Sequence, residues 1–306
     1  MAWAAAGIGA FALAVVLVTL STVFVILRFV SRRRIRNIWG ASDWFMLVTL
    51  TFAFASAATV GAFAANGMGY HMVDLSPGKM PSFAKVTYVA GIVTNTSIAL
   101  TKLSVLLLLL DVFVMFWYRK ATYIILSLAS CYLVWVFISN TLSCLPVHAF
   151  WDLTIPESER WCMPMKPKYL ADTTVNAALD IAIFCLPLPL LRTLTLPWKQ
   201  KMWLGLVFTL GFIVVIASLL RFQFLDFQVL MRDPTWAAVT ISSWANVEIN
   251  LAIILACIPT LRPLIAKLYP RLVEPTISPG TSQDGGSSRP PTLSTPAWRP
   301  KERQEC

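Results

Sequence analysis

Four ionisable side chains interrupt long apolar runs: Lys102 in IALTKLSVLLLLL, Asp180 in VNAALDIAIF, Arg221 in ASLLRFQF and Glu248 in WANVEINLAII. Their formal charges cancel. A charge at bilayer depth costs at least ~2.5 kcal/mol on insertion scales, so such a group faces a helix bundle and takes a partner. Counting ~1.5 Å per residue from each helix end puts Asp180 and Glu248 near the midplane. Arg221 falls near the outer end of its helix, and Lys102 lies deeper, toward Asp43. The expected pairings are Lys102 with Asp180 or Asp43, and Arg221 with an acid near the outer surface such as Asp172. Glu248 is left without an obvious cation, the setting in which a buried carboxyl stays neutral and could serve as a general acid. Asp180 is the second candidate for that role. Asn176 stands four residues before Asp180 and Trp244 four before Glu248, so each pair shares a helix face. Asn176 and Asp180 could clamp one ligand group, and Trp244 would wall a site beside an acid. The plainer alternative is that these residues only tie helices together by interhelical hydrogen bonds.

Such residues need spanning helices to position them, and the composition supplies those. Of 306 residues 57% are hydrophobic and 13% charged, against roughly 25% charged in a soluble domain. The mean hydropathy is +0.69. A span takes ~20 apolar residues, and seven segments qualify: 5–28, 44–65, 85–110, 121–143, 169–191, 202–224 and 238–261. The first stops at Arg28 and the cluster Arg32, Arg33, Arg34, Arg36; it has no basic leader region and reads as a retained helix. The predicted fold is therefore an all-α polytopic membrane protein of seven transmembrane helices over residues 1–269. From 270 to 306 the chain turns to Pro, Ser, Gly and Arg, which cannot build a core and is expected to be a disordered tail. Pro187, Pro189 and Pro259 are expected to mark kinks or helix exits.

The net charge of +10 does not point to nucleic acid, because the basic residues sit in short clusters between apolar runs. They fall in alternate loops: Arg28 to Arg36, Arg119 with Lys120, Arg192 with Lys199 and Lys201, and the tail with Arg262, Lys267 and Arg271. The other loops balance most of their cations with acids. The positive-inside rule then gives N-out, C-in. Of six cysteines, Cys131, Cys185 and Cys257 fall in helices as space-fillers. Cys144 and Cys162 flank a loop on the oxidising side, where a disulfide is expected.

A set of ordered motifs runs through the chain: Asp43-Trp44, Gly67-x-Gly69-x-His71, Lys102-x-Ser104-x-Leu106, Cys144-x-Pro146 with Trp151, Cys162, Asn176-x-x-x-Asp180 with Pro187, Lys201 with Gly211 and Arg221, Asp233-x-Thr235-Trp236, Trp244-x-x-x-Glu248 and Pro259. In order and spacing the chain resembles the fungal rhodopsin-like integral membrane proteins, over nearly all residues to about 265. Three positions depart from that pattern: Ser42 stands where the family usually has an acid, and Leu109 and Asp111 stand where Tyr and Arg are expected. The resemblance implies a fungal membrane protein, often linked to secondary metabolism, with no one activity common to the family. Retinal is not expected as a cofactor, because residues 236–261 hold no Lys for a Schiff base.

Three functions follow as expectations. The first is an accessory protein of a secondary-metabolite pathway that binds or handles a lipophilic metabolite at the polar intramembrane residues. The second is a membrane-embedded terpenoid or polyketide cyclase or isomerase that uses Glu248 or Asp180 as its acid. The third is a G-protein-coupled-like receptor. The lipid bilayer, a lipophilic small molecule and pathway enzymes are the expected partners. No phosphate loop, dinucleotide fingerprint or nucleophile elbow occurs, and with only His71 and His148 a histidine-rich metal site is excluded.

Overall fold

Long apolar stretches propagate as helices, and the chain forms seven α-helices among the residues that the computed structural model describes (2–35, 40–74, 77–112, 115–152, 154–189, 198–223 and 233–268). They are α1 (Ala2–Ile35), α2 (Ala41–Ala65), α3 (Met80–Val112), α4 (Phe116–Thr141), α5 (Met165–Cys185), α6 (Trp198–Gln223) and α7 (Pro234–Leu268). Each covers or overlaps one of the seven expected spans. Five are long and apolar enough to cross a bilayer: 6–33, 41–65, 80–111, 116–141 and 234–261. In α6 a shorter apolar stretch, Phe208–Arg221, falls within the described residues. The fifth helix is less apolar because it carries Asp172, Thr173, Asn176 and Asp180, all of them buried. The expected tail, 270–306, lies outside the described residues.

Helix starts and stops follow local chemistry. The N–H of Gly40 donates to Asp43 Oδ2 at 3.1 Å, so Asp43 closes the first turn of α2 on itself. At the other end of α2 the chain reverses through Gly67 and Gly69, at φ of 101° and 91°, a region that favours glycine. Pro259 does not end its helix: α7 runs through it to Leu268. Of the kink or exit expected there, the exit is not found; packing of α7 against α1, α3 and α6 holds the helix on despite the missing N–H.

Small residues set the closest approaches. Ala10, Ala14 and Val18 of α1 are buried in the main core with Ala53, Ala57 and Val60 of α2 and Ala245, Ile249 and Ile253 of α7. A Cβ placed on Gly7 would stand 2.4 Å from the Met68 carbonyl oxygen, so only glycine fits there. A second core joins α3, α4 and α5 around Leu106, Tyr118, Ala129, Val136 and Leu179. Ile8, Val16, Ile26, Ile124 and Leu128 point outward and are more than half exposed. In water such a surface would drive aggregation; in a bilayer it is the lipid face.

Between α4 and α5 the chain forms a two-stranded antiparallel ladder, β1 (Cys144–Leu145) with β2 (Trp161–Cys162). The expected disulfide is present, Cys144 to Cys162, and joins residues directly opposite in that ladder.

Candidate functional site

The intramembrane ionisable residues converge. Lys102 of α3 donates to Asp180 Oδ1 of α5 and lies 3.8 Å from Glu248 Oε1 of α7. Arg221 of α6 approaches the other carboxylate oxygen of Glu248, Nε to Oε2 at 3.5 Å. The four charges thus alternate, Asp180, Lys102, Glu248, Arg221, across four different helices. Asn176 sits at their centre: its Nδ2 donates to Ser218 Oγ at 2.9 Å and Glu248 Oε1 at 2.9 Å, and lies 3.3 Å from Asp180 Oδ2. All six side chains are buried. Trp244 is half-buried on α7, one turn before Glu248. Ser218 was not singled out from sequence; its position three residues before Arg221 on one helix face was the available signal.

Two expectations about pairing are corrected. Arg221 pairs with Glu248, not Asp172, and Glu248 therefore lies between two cations instead of having none. The reason is axial stagger. Glu248 lies fourteen residues into α7, which begins at Pro234, and this offset brings it level with Arg221 near the end of α6. Asp172 is taken elsewhere: the Trp135 indole donates to its Oδ1 at 2.7 Å and Lys168 Nζ stands 3.9 Å from its Oδ2. Of the two alternatives for Lys102, the structure selects Asp180. Asp43 has other partners.

Those partners form a second buried cluster, at the opposite end of α1 and α2 from the Gly67 turn. Arg28, fully buried, donates from Nε to Asp43 Oδ1 at 3.1 Å and from Nη1 to the Ala256 carbonyl at 2.8 Å. Arg32 Nη1 donates to Asp43 Oδ2 at 2.9 Å, and Arg32 Nη2 lies 3.5 Å from Asp111. Two of the departures from the family pattern meet here: Ser42 Oγ donates to Asp111 Oδ2 at 2.6 Å. The carboxylate missing from position 42 is supplied across the contact by α3. Sequence reading put Arg28 with the loop cations; the structure makes it a tie between α1, α2 and α7.

At the Gly67 end, two motifs 162 residues apart join. His71 Nδ1 and the Asp233 carboxylate lie 3.2 Å apart, the Met72 N–H donates to Asp233 Oδ1 at 3.0 Å, and Thr235 Oγ1 donates to the Tyr70 carbonyl at 2.7 Å. The His71 ring stacks on Trp236 at 5.3 Å between centroids. The Met72 N–H, and then the His71 ring, hold the Asp233 carboxyl below its ordinary range. Among the described residues no cluster of His, Cys, Asp or Glu is arranged to hold a metal.

The buried ionic chain and the Arg28 tie together draw on six of the seven helices, all but α4, and the comparisons with known proteins likewise cover most of the chain. The family model described as the fungal rhodopsin domain matches residues 27–267. A polyenoic acids biosynthesis gene cluster protein of Metarhizium anisopliae is 25% identical over 89% of this chain and 76% of its own length. A SAT4 family membrane protein of Emericella nidulans is 25% identical over 64% of this chain and 50% of its own length. A protein named as receptor GIN3, from Arthrobotrys oligospora, is 26% identical over 86% of this chain and 63% of its own length. This chain therefore spans between half and three quarters of these relatives. No solved structure matches it significantly. With seven packed helices, a lipid-facing apolar surface and a family match over most of its length, this multi-pass membrane protein belongs to the fungal rhodopsin domain family.

Proposed function

We propose that this membrane protein acts in a secondary-metabolite pathway, binding and handling a lipophilic metabolite at the cluster formed by Lys102, Asn176, Asp180, Ser218, Arg221 and Glu248. One observation carries the reading: Asn176 Oδ1 is buried without a hydrogen-bond partner, beside an Arg221–Glu248 ion pair whose facing atoms, Nε and Oε2, stand 3.5 Å apart and make no hydrogen bond. An unsatisfied polar atom away from water costs about 1–3 kcal/mol, and this acceptor next to a loosely closed ion pair is an invitation to a hydroxyl on an apolar molecule. The names of relatives support the pathway: besides the polyenoic acids protein, similar chains belong to fugralin and wortmanamide biosynthesis clusters. No bound retinal is part of this reading. The test is metabolite profiling of a strain lacking the gene, complemented with the wild type, Asn176→Leu or Glu248→Gln. An intermediate should accumulate in the deletion strain and in both variants, with each variant eluting as a folded species in fluorescence-detected gel filtration. A deletion strain with an unchanged profile overturns the proposal.

The cyclase reading started from a Glu248 with no cation nearby; in the structure Lys102 and Arg221 both approach it, and Asp180, the second candidate acid, is paired with Lys102. A receptor is the second reading, supported by the similarity to the protein named as receptor GIN3. It predicts that deletion alters transcription while cells supplied with each pathway intermediate still convert it.

A further inference from the structure

Lys168, Asp172, Asn176 and Asp180 stand four residues apart on α5, so each shares a helix face with the next. A step of four overshoots one turn by about 40°, and three such steps wind the row roughly 120° around the helix over ~18 Å. The partners follow that winding. Lys168 Nζ donates to Asn140 Oδ1 of α4 at 2.8 Å, and the Trp135 indole of α4 donates to Asp172 Oδ1 at 2.7 Å. Asn176 reaches Ser218 on α6 and Glu248 on α7, and Asp180 meets Lys102 on α3. The row therefore starts at the seam between α4 and α5 and ends in the bundle core. At its start it borders a cavity of about 460 Å³ beneath the disulfide, with Ser143, Phe150 and Met163 among the other walls.

That seam faces lipid. α4 packs mainly on α3 and touches α5 far less. Trp135, which holds Asp172, is itself 48% exposed on the bilayer side, so a buried carboxylate lies one side chain away from lipid. Val175 follows Asp172 by three residues and Lys168 by seven, on the same side of α5, and is also exposed. The row keeps acceptors in reserve. Asp172 Oδ2, 3.9 Å from the Lys168 ammonium, accepts no hydrogen bond among the described residues. Neither does Asn176 Oδ1, one turn deeper and fully buried. Two open acceptors a helical turn apart call for a donor, which a hydroxyl has and a ketone or ether lacks.

We propose that the α4–α5 seam is a lateral portal through which a hydroxyl-bearing lipophilic molecule passes from the bilayer to Asn176. The hydroxyl moves from Asp172 to Asn176 along the row, while the chain stays in lipid until it has slipped between Trp135 and Val175. This rests on the function proposed above, which seats the ligand at Asn176, and adds the route by which it arrives.

The experiment uses the full chain in nanodiscs and a long-chain primary alcohol carrying pyrene at its far end, read by energy transfer from tryptophan. Asn176→Leu protein supplies the background. An equilibrium titration gives the affinity, and a chase with excess unlabelled alcohol gives the release rate. Trp135→Ala widens the seam and should release the probe at least threefold faster than wild type. Val175→Trp narrows it and should release the probe at least threefold more slowly. Both should keep the affinity within twofold, because a portal changes entry and exit equally. A rate change of this kind in either variant supports the portal. Wild-type release by both variants, or a rate change matched by an equal change in affinity, overturns the portal and leaves the binding site standing. Slower release in Met163→Trp alone, which fills the cavity, would assign the route to water and overturn the lipid portal. No saturable binding above the Asn176→Leu background overturns the seat at Asn176, and the portal with it.

Discussion

Replacing Lys102 by methionine keeps its length and apolar stem but removes the cation shared by Asp180 and Glu248. The buried cluster then holds two carboxylates against Arg221 alone, a net charge of −1. Asp180→Asn does the reverse, leaving Lys102 and Arg221 against Glu248, a net charge of +1. Breaking a buried pair by removing one partner costs about 3–5 kcal/mol. At ~2–4 °C per kcal/mol for a protein of this size class, each single variant should melt roughly 6–20 °C below the wild type. The double variant restores neutrality, because the Arg221–Glu248 pair at 3.5 Å survives. It should recover to within a few degrees, and the cycle should show a coupling of about 3 kcal/mol. The assay is the melting midpoint by gel filtration after heating in detergent. Two results would refute the reasoning: single variants within 2 °C of wild type, or a double variant whose loss equals the sum of the singles.

Other outcomes follow from other parts of the molecule. A reporter fused beyond residue 270 should be reachable only from the cytosol, as the loop charges require; glycosylation of that reporter would show the orientation to be wrong. Gly7→Ala drives a Cβ to 2.4 Å from the Met68 carbonyl oxygen, and overpacking of this kind costs about 1–3 kcal/mol. Gly9→Ala meets nothing within 4 Å and should be neutral or slightly stabilising, so equal melting points for the two would count against the packing described. Asp233, whose carboxyl is held low by the Met72 N–H and His71, should contribute stability above its unfolded value of about 3.9 and lose it as pH falls through the lower folded value. The melting difference between wild type and Asp233→Asn should therefore be constant near neutrality and close in acid; a difference that widens below pH 4 would contradict this.

Hydropathy made the helices legible, because a run such as 6–33 or 116–141 needs no tertiary information to declare itself. The polar cluster was legible for a related reason: Lys102, Asp180, Arg221 and Glu248 have no business in apolar helices unless they meet. Which of them pair was not legible. Pairing depends on the axial stagger of neighbouring helices, and no single helix encodes that. Counting inward from helix ends matched Arg221 with Asp172, whereas the real offset of α7 delivers Glu248. Arg28 was hidden by its company, since four more arginines follow within eight residues and the group reads as a loop cluster. The joining of His71 with Asp233 had motifs on both sides but nothing local to link them.

The partners of the Arg28 guanidinium, Asp43 and Ser42 on α2 and the Ala256 carbonyl on α7, come from very different places in the chain. Asp43 is fifteen residues away and the Ala256 carbonyl 228. During synthesis at ~5–20 residues per second, the acid emerges within roughly one to three seconds of the arginine, but the carbonyl follows only after about 10–50 s. The first helix therefore leaves the ribosome with a charge that its immediate successor can neutralise, so α1 and α2 have reason to enter the bilayer as one hairpin. The seat for α7 stays open until almost the whole chain has been made, and the last helix to arrive completes the hydrogen bonding of the first. A chain stopped short of residue 256 would therefore lack the carbonyl acceptor of Arg28 that α7 supplies.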